Sequence, residues 1–329
     1  MQEKSIFTPG ELIRTYYTDY DTMVESAKHW QQKCVFQFRP SAIEGEHHVF
    51  ELSSMQLSYA KKAGGMMYML IPPSNCITVS IICKCEDKGC FGTLKLHTGD
   101  VIFYDDTHAY NYFSNKHMEI CSINIDKASF PELTETFNYL QTDGTICFKN
   151  DNDYFCTLFT KVLEKFPDKN TIDADRLKKT EDEIIAAVSE LMKTEKPVKN
   201  PLSRGERAVF DIVEKVYTQM DKNIPIHSLA EAYNISEQTL QARFKSLYGT
   251  TPRHFLQLLK LNMAHQELLS SNPKHQTVTR VAYKWGFKHM GNFGKYYREL
   301  FGESPSVTLQ KGYYDTGLKE ECVKRTEEI

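Results

Sequence analysis

Two sets of polar side chains, spaced like the outer face of a helix, are of the types that read a nucleic acid. They are Glu237, Gln238, Gln241 and Lys245, and then His289, Asn292, Lys295 and Arg298. Gln and Asn each pair bidentately with adenine in a major groove, and Lys reaches guanine or a phosphate. A second chemistry is offered by thiols: Cys83, Cys85 and Cys90 lie close together in CKCEDKGC, with Cys76 upstream. Their C-x-C-x4-C spacing is not the paired C-x2-C of common zinc sites, so buried or loop cysteines are expected there rather than a metal or redox centre. His97, His108 and His117 lack a closely spaced His-x-His, and no metal, cofactor or enzymatic activity is expected.

Each polar set rides on one copy of an internal repeat. The first copy carries the apolar pair Leu229 and Ala230, a turn residue Asn234, the pair Leu240 and Phe244, and Gly249 to Pro252. The second carries Val281 and Ala282, Gly286, Phe293 and Tyr297, and Gly302 to Pro305. A short apolar-faced helix ended by a residue that accepts positive φ, then a second helix capped by Ser236 in the first copy, makes a helix-turn-helix.

On these residues the segment resembles the C-terminal DNA-binding domain of the AraC/XylS family of bacterial transcription regulators. The string Gly286-Phe287, then Phe293, Tyr297, Leu300-Phe301-Gly302 and Ser304-Pro305-Ser306, is the family's second unit, and its wording is nearest the branch containing XylS and the ethanolamine-utilisation regulator. The resemblance implies one long helix from Pro252 to Ser270 bridging the two units. It places Gln238, Gln241 and Ala242, then Gly291, Asn292 and Lys295, towards the groove, with Lys245 a turn further along. One departure stands out: where the family often has Leu-x-Arg-x-Phe, this chain reads Leu240-Gln241-Ala242-Arg243-Phe244. The family implies a sequence-specific regulator of promoter DNA, with RNA polymerase as a partner, a small-molecule effector in an N-terminal cupin-like barrel, and a homodimer made by a helix after the barrel. Alternatives are an effector-independent factor of the same family, and an Ada-like alkyl-transfer protein, whose four closely grouped Cys ligands this chain does not supply.

Upstream of the repeat, short β-branched and aromatic runs predict strands at 34–38, 48–59, 66–71, 77–83, 92–96, 101–104, 109–113 and 118–125, a barrel or sandwich. Candidate effector-lining residues are Phe36, Phe38, Tyr59, Tyr68, Phe103 and Tyr104, with Tyr110 and Tyr112. Helices are expected around 20–31, over 151–166, and over 173–193, where Leu177, Ile184, Ile185, Val188 and Leu191 form one stripe for the domain core or for a dimer. The expected fold class is α+β. It comprises a cupin-like domain with helices over 1–193, a linker over 194–203, an all-α double helix-turn-helix domain over 204–312, and a polar tail over 313–329.

The net charge of −3 hides a division. Residues 203–312 carry 15 Lys and Arg against 9 acidic residues, and the remainder carries 25 against 34. A domain at +6 attached to one at −9 fits phosphate neutralisation by the C-terminal part alone. No apolar run approaches the roughly 18 residues that cross a bilayer. The start lacks a signal peptide's apolar core, and the nine cysteines are odd in number and dispersed. These features predict a cytoplasmic protein with reduced thiols and no membrane partner.

Overall fold

The computed structural model describes residues 6–149 except 19–21, 24–25, 40–43, 63–64, 88, 115 and 142–143, together with 157, 161, 173–198, 203–218 and 225–311. The chain divides into two compact units. One comprises residues 1–35 and 43–201, the other Phe36–Ala42 and 202–329.

The first unit contains strands β1 (Leu12–Tyr17), β2 (Gln31–Gln37), β3 (Gly45–Glu51), β4 (Met55–Lys62), β5 (Met66–Ile71), β6 (Cys76–Cys85), β7 (Gly89–Phe91), β8 (Leu94–Leu96), β9 (Asp100–Asp105), β10 (Tyr110–Ser114), β11 (Met118–Asp126) and β12 (Thr145–Lys149), with helices α1 (Pro131–Leu140) and α2 (Ala174–Thr194). Seven strands form one antiparallel sheet in the order β1-β3-β4-β11-β6-β9-β12, and five form a second in the order β2-β5-β10-β7-β8. The expected cupin-like barrel does not close, and the strands make two open sheets instead. The reason lies in side-chain alternation. Alternate residues of the long sheet face a core shared with the short sheet (Ile82, Ile102, Tyr104 and Ile120 against Tyr68, Phe91 and Tyr112). The intervening ones face a second core (Val79, Ile81, Phe103, Cys121 and Ile123) roofed by α1 and α2. Burial on both faces favours layers over a barrel with one wet surface.

Several expectations change in detail. The single strand expected over 48–59 is a hairpin, turned at Leu52, whose N–H donates to the Met55 carbonyl at 2.8 Å. β1, α1 and β12 have no counterpart in the sequence reading. Of the helix expected around 20–31, Thr22, Met23 and Ser26 are helical and β2 begins at Gln31, whereas the segment 151–166, apart from 157 and 161, and the tail 313–329 lie outside the described residues. Helix α2 forms as expected, opened by Asp173, whose carboxylate accepts from the Asp175 N–H. Its stripe of Leu177, Ile184, Val188 and Leu191 is buried in its own unit's core, which leaves that stripe unavailable to a second copy.

The second unit contains α3 (Arg204–Thr218), α4 (Ile226–Ala232), α5 (Glu237–Tyr248), α6 (Pro252–Leu269), α7 (Val278–Lys284) and α8 (Met290–Phe301), then a helix over 305–311. A capping box starts α3: the Ser203 N–H donates to the Glu206 carboxylate at 3.0 Å, and the Glu206 N–H donates back to Ser203 Oγ at 3.3 Å. Phe36–Ala42 joins this unit through hydrogen bonds. The Gln37 N–H donates to Asn262 Oδ1 at 2.7 Å, Asn262 Nδ2 donates to the Gln37 carbonyl at 2.8 Å, and Phe38 stacks on Phe255 at 4.9 Å. A contiguous N-terminal domain over 1–193 therefore does not describe this segment. Among the described residues no helix is long and apolar enough to cross a membrane.

Candidate functional site

Helix α5 owes its position to three local choices. Asn234 takes φ +50 in the turn after α4, Ser236 caps by accepting from the Thr239 N–H at 3.1 Å, and Gly249 ends the helix at φ +70. Its inner face, Leu240, Phe244, Leu247 and Tyr248, is buried. Leu229 and Ala230 of α4, and Val209, Ile212 and Val213 of α3, are buried with it. The second copy repeats the pattern with Gly286 at φ +82, Gly302 at φ +74, and Phe293, Tyr297 and Leu300 buried. Thr277 caps α7 by accepting from the Arg280 N–H at 3.2 Å. His289, at the start of α8, makes no side-chain cap.

Between the copies runs α6, started by Thr251 as cap with Pro252 in the first turn, and burying Phe255, Leu258, Leu259, Leu261 and Leu268. Met263, expected on the same stripe, is only half-buried. Polar locks fix α6 against the second copy. Glu267 accepts from Trp285 Nε1 at 2.7 Å and pairs with Lys284 at 2.9 Å. His265 stacks on Phe301 at 4.1 Å and meets the Tyr297 hydroxyl at 2.6 Å. The hydroxyl donates onward to Thr308 and Thr308 to Glu303, which assigns the donated proton at Tyr297 to His265 Nδ1. Burial, opposed by Glu303, pushes His265 down to about 4.

The outer faces are mostly polar. Gln238, Gln241, Ala242 and Lys245 on α5 are exposed, as are Gly291, Asn292 and Lys295 on α8. Lys295 lies 3.9 Å from Glu299, an exposed pair too weak to hold it from a phosphate. Arg243 is turned aside and half-buried, its stem against Gly205 at the start of α3, so the arginine next to Ala242 does not replace the missing outward one. Two exposed aromatics were not among the candidates: Tyr296 on α8 and Tyr283 on α7. The signal for Tyr296 was present, because counting four residues from Phe293 puts Tyr297 inside and leaves Tyr296 beside Asn292 and Lys295.

A second site lies within the first unit, where the two sheets leave a cavity with about 50 Å3 of room for the centres of water molecules, open on one side to solvent. Of the aromatic candidates, Tyr104 and Tyr112 line it. Tyr68 packs alongside, stacked on Tyr112 at 4.7 Å. Tyr110 is buried against Phe91 in the same core. Phe103 and Tyr59 are corrected out of it: each alternates with a lining residue and points to the opposite core. Phe36 and Phe38 belong to the second unit. Sequence inspection missed the polar lining: His47, Ser58, Lys62, Ser80 and Ser122. Ser80 Oγ bonds Tyr104 OH and Ser122 Oγ, each at 2.8 Å. Ser26 Oγ donates to the Met23 carbonyl and therefore accepts from His47 Nδ1–H. Burial, with the Lys62 charge nearby, pushes His47 down to about 3. Lys62 Nζ donates to Tyr68 OH and sits 4.4 Å from the centre of that ring and 5.1 Å from that of Tyr112. Burial lowers its pKa to about 7.

Among the described thiols, Cys83 and Cys121 approach each other at 3.4 Å. Among the described residues no three His, Cys, Asp or Glu side chains group as a metal site. Burial pushes Cys76 up to about 12 and raises Cys85, which keeps both as thiols.

Comparison with known proteins agrees with the geometry of the second unit. A family model described as a helix-turn-helix domain matches residues 229–311. The XylDLEGF operon transcriptional activator 1 of Pseudomonas putida is 33% identical over 109 residues, 33% of each chain. The probable thc operon regulatory protein of Rhodococcus erythropolis is 32% identical over 98 residues, 30% of each chain. The chain thus spans about a third of the length of the curated relatives it matches. The crystal structure of a probable AraC family transcriptional regulator from Rhodopseudomonas palustris is 34% identical, covering 32% of this chain and 97% of that one, with a TM-score of 0.31. The duplicated helix-turn-helix and its bridging helix thus make residues 229–311 a helix-turn-helix domain similar to that of the XylDLEGF operon activators.

Proposed function

We propose that the protein is a sequence-specific DNA-binding regulator of transcription whose first unit holds a small effector. The observation that carries this reading is the pair α5 and α8, equivalent helices that each bury one face and keep a largely polar face in solvent. Gln238, Gln241 and Ala242 on α5, and Gly291, Asn292 and Lys295 on α8, are the positions assigned to the groove, with Lys245 over a phosphate. The cavity between the two sheets is the effector site, with Tyr104 and Tyr112 in its wall. Promoter DNA is the principal partner in this reading. RNA polymerase and a second copy of the chain are further partners, the setting is the cytoplasm, and no catalytic step is involved.

The test is binding of the full chain to duplex DNA across a range of salt. Affinity is expected to fall linearly on a log–log scale, each neutralised phosphate contributing about −0.9 to the slope. An affinity indifferent to salt would overturn the reading.

A further inference from the structure

We infer that Lys62 is a covalent capture site, whose amine condenses with a small apolar aldehyde entering the cavity of the first unit and holds it as an imine. This deepens, and rests on, the reading of that cavity as an effector site.

The placement of the amine carries the inference. On β4 the lining residues alternate as Ser58, Ala60 and Lys62. Ala60 pairs with Ile120 and Ile120 with Ile82, and Leu70 and Phe91 line the same space, so the wall beside the lysine is apolar. Nζ donates to Tyr68 OH and lies 4.4 Å from the centre of that ring and 5.1 Å from that of Tyr112. Among the described residues no carboxylate stands in ion-pair reach of it. The titratable groups around it bring no negative charge. Burial raises the pKa of Tyr68, Tyr112 and Tyr104, which keeps them as phenols, and His47 is held neutral.

An ammonium in such a place is costly. Burial lowers the pKa of Lys62 to about 7. About half of it is therefore the neutral amine at pH 7, against roughly one part in a few thousand for an ordinary lysine. The neutral amine is the nucleophile that condensation with a carbonyl requires, and desolvation in an apolar pocket is one way a lysine is activated for it. The nitrogen lone pair attacks the carbonyl carbon to give a carbinolamine. The C–O bond then breaks, and the former carbonyl oxygen leaves as water with the two protons of the amine, so the aldehyde is the only reactant consumed. Tyr68 OH, already in hydrogen-bond reach of Nζ, is placed to hold the departing oxygen. The product imine is neutral, which removes a buried positive charge that has no anion beside it.

The cavity also sets the size of the aldehyde. Its 50 Å3 of room for water centres takes on the order of four water molecules, the space of a chain of about three to five carbons. Its open side gives the aldehyde a way in.

The experiment incubates the full chain at pH 7 with butanal and cyanoborohydride, which reduces an imine to a stable butyl-lysine, and reads the labelling rate at each lysine by peptide mass spectrometry. Lys62 is expected to be labelled at least about tenfold faster than exposed lysines such as Lys84 and Lys295. Tyr68→Phe should slow Lys62 and leave the exposed lysines unchanged. Labelling of Lys62 no faster than at the exposed lysines would overturn the proposal, and because this comparison is made within the unsubstituted chain it decides even if Tyr68→Phe misfolds. Butan-1-ol, which fits the same space and forms no imine, separates the proposal from the reading beneath it. Saturable thermal stabilisation by the alcohol without preferential labelling of Lys62 would overturn covalent capture and leave the effector site standing. If neither stabilisation nor preferential labelling is seen, the effector reading falls with the proposal.

Discussion

At the scale of single residues, the proposed readout rests on few side chains, because Ala242 and Gly291 sit on the exposed faces of α5 and α8 without a hydrogen-bonding group. Gln241→Ala and Asn292→Ala are each expected to cost about 1–3 kcal/mol of binding and to relax preference at one or two base pairs, read by selection from random DNA. Lys245→Ala should weaken all sequences alike and lower the salt slope by about one. The two glycines of α8 separate stability from binding. A Cβ added at Gly291 or Gly294 meets nothing within 4 Å, so alanine at either should stabilise the helix by roughly 0.5–1 kcal/mol. Gly291→Ala should also weaken DNA binding, since it puts a methyl group where a groove wall approaches, whereas Gly294→Ala, half-buried on the flank, should not. Equal affinities for both variants would place Gly291 away from DNA. The exposed outer faces of α5 and α8 were legible from the period of Leu240, Phe244, Phe293 and Tyr297. The place of Arg243 was not, because it depends on the close approach of Gly205 from another helix.

At the scale of elements, the bridge α6 holds the two reading helices in register, and His265 is part of its lock on α8. Its folded pKa of about 4 lies below the ordinary value near 6.5, so between those values the unfolded chain binds the extra proton. Stability at the α6–α8 junction is therefore complete above pH 6.5 and is lost as pH falls towards 4. Hydrogen exchange of the α6 and α8 amides should show this loss. His265→Gln, which keeps a donor for Tyr297 but does not titrate, should flatten the fall, and an unchanged profile would remove His265 as its cause. The helices of this unit were readable in the sequence because caps, positive-φ turns and apolar spacing all act within a few residues. The sheets were readable strand by strand but not in their assembly. β1 and β12 are short edge strands whose pairing with Phe50 and Phe103 is a long-range event. The layered arrangement follows from the two-sided burial of β6 and β9, which local alternation conceals.

At the scale of the whole molecule, the charge division pointed to the partner proposed for the C-terminal part, while nothing in the sequence pointed to the cavity's chemistry. Lys62, Ser58 and Ser122 become one surface only when β4, β11 and β6 align, and aromatic content pointed instead to Phe103 and Tyr59, which face away. The separate placement of the cavity and the reading helices in different units gives a clear expectation for Lys62→Met: it should change response to an effector and leave DNA preference intact. The central claim, that this chain reads DNA with two helix-turn-helix copies at once, is tested most directly by footprinting the full chain on a duplex chosen by selection from random DNA. The expected result is two protected major-groove segments on one face of the duplex, one helical turn or about 34 Å apart, one of them weakened by Gln241→Ala and the other by Asn292→Ala. Protection of a single groove segment, with both substitutions acting on it or neither acting at all, would contradict the account.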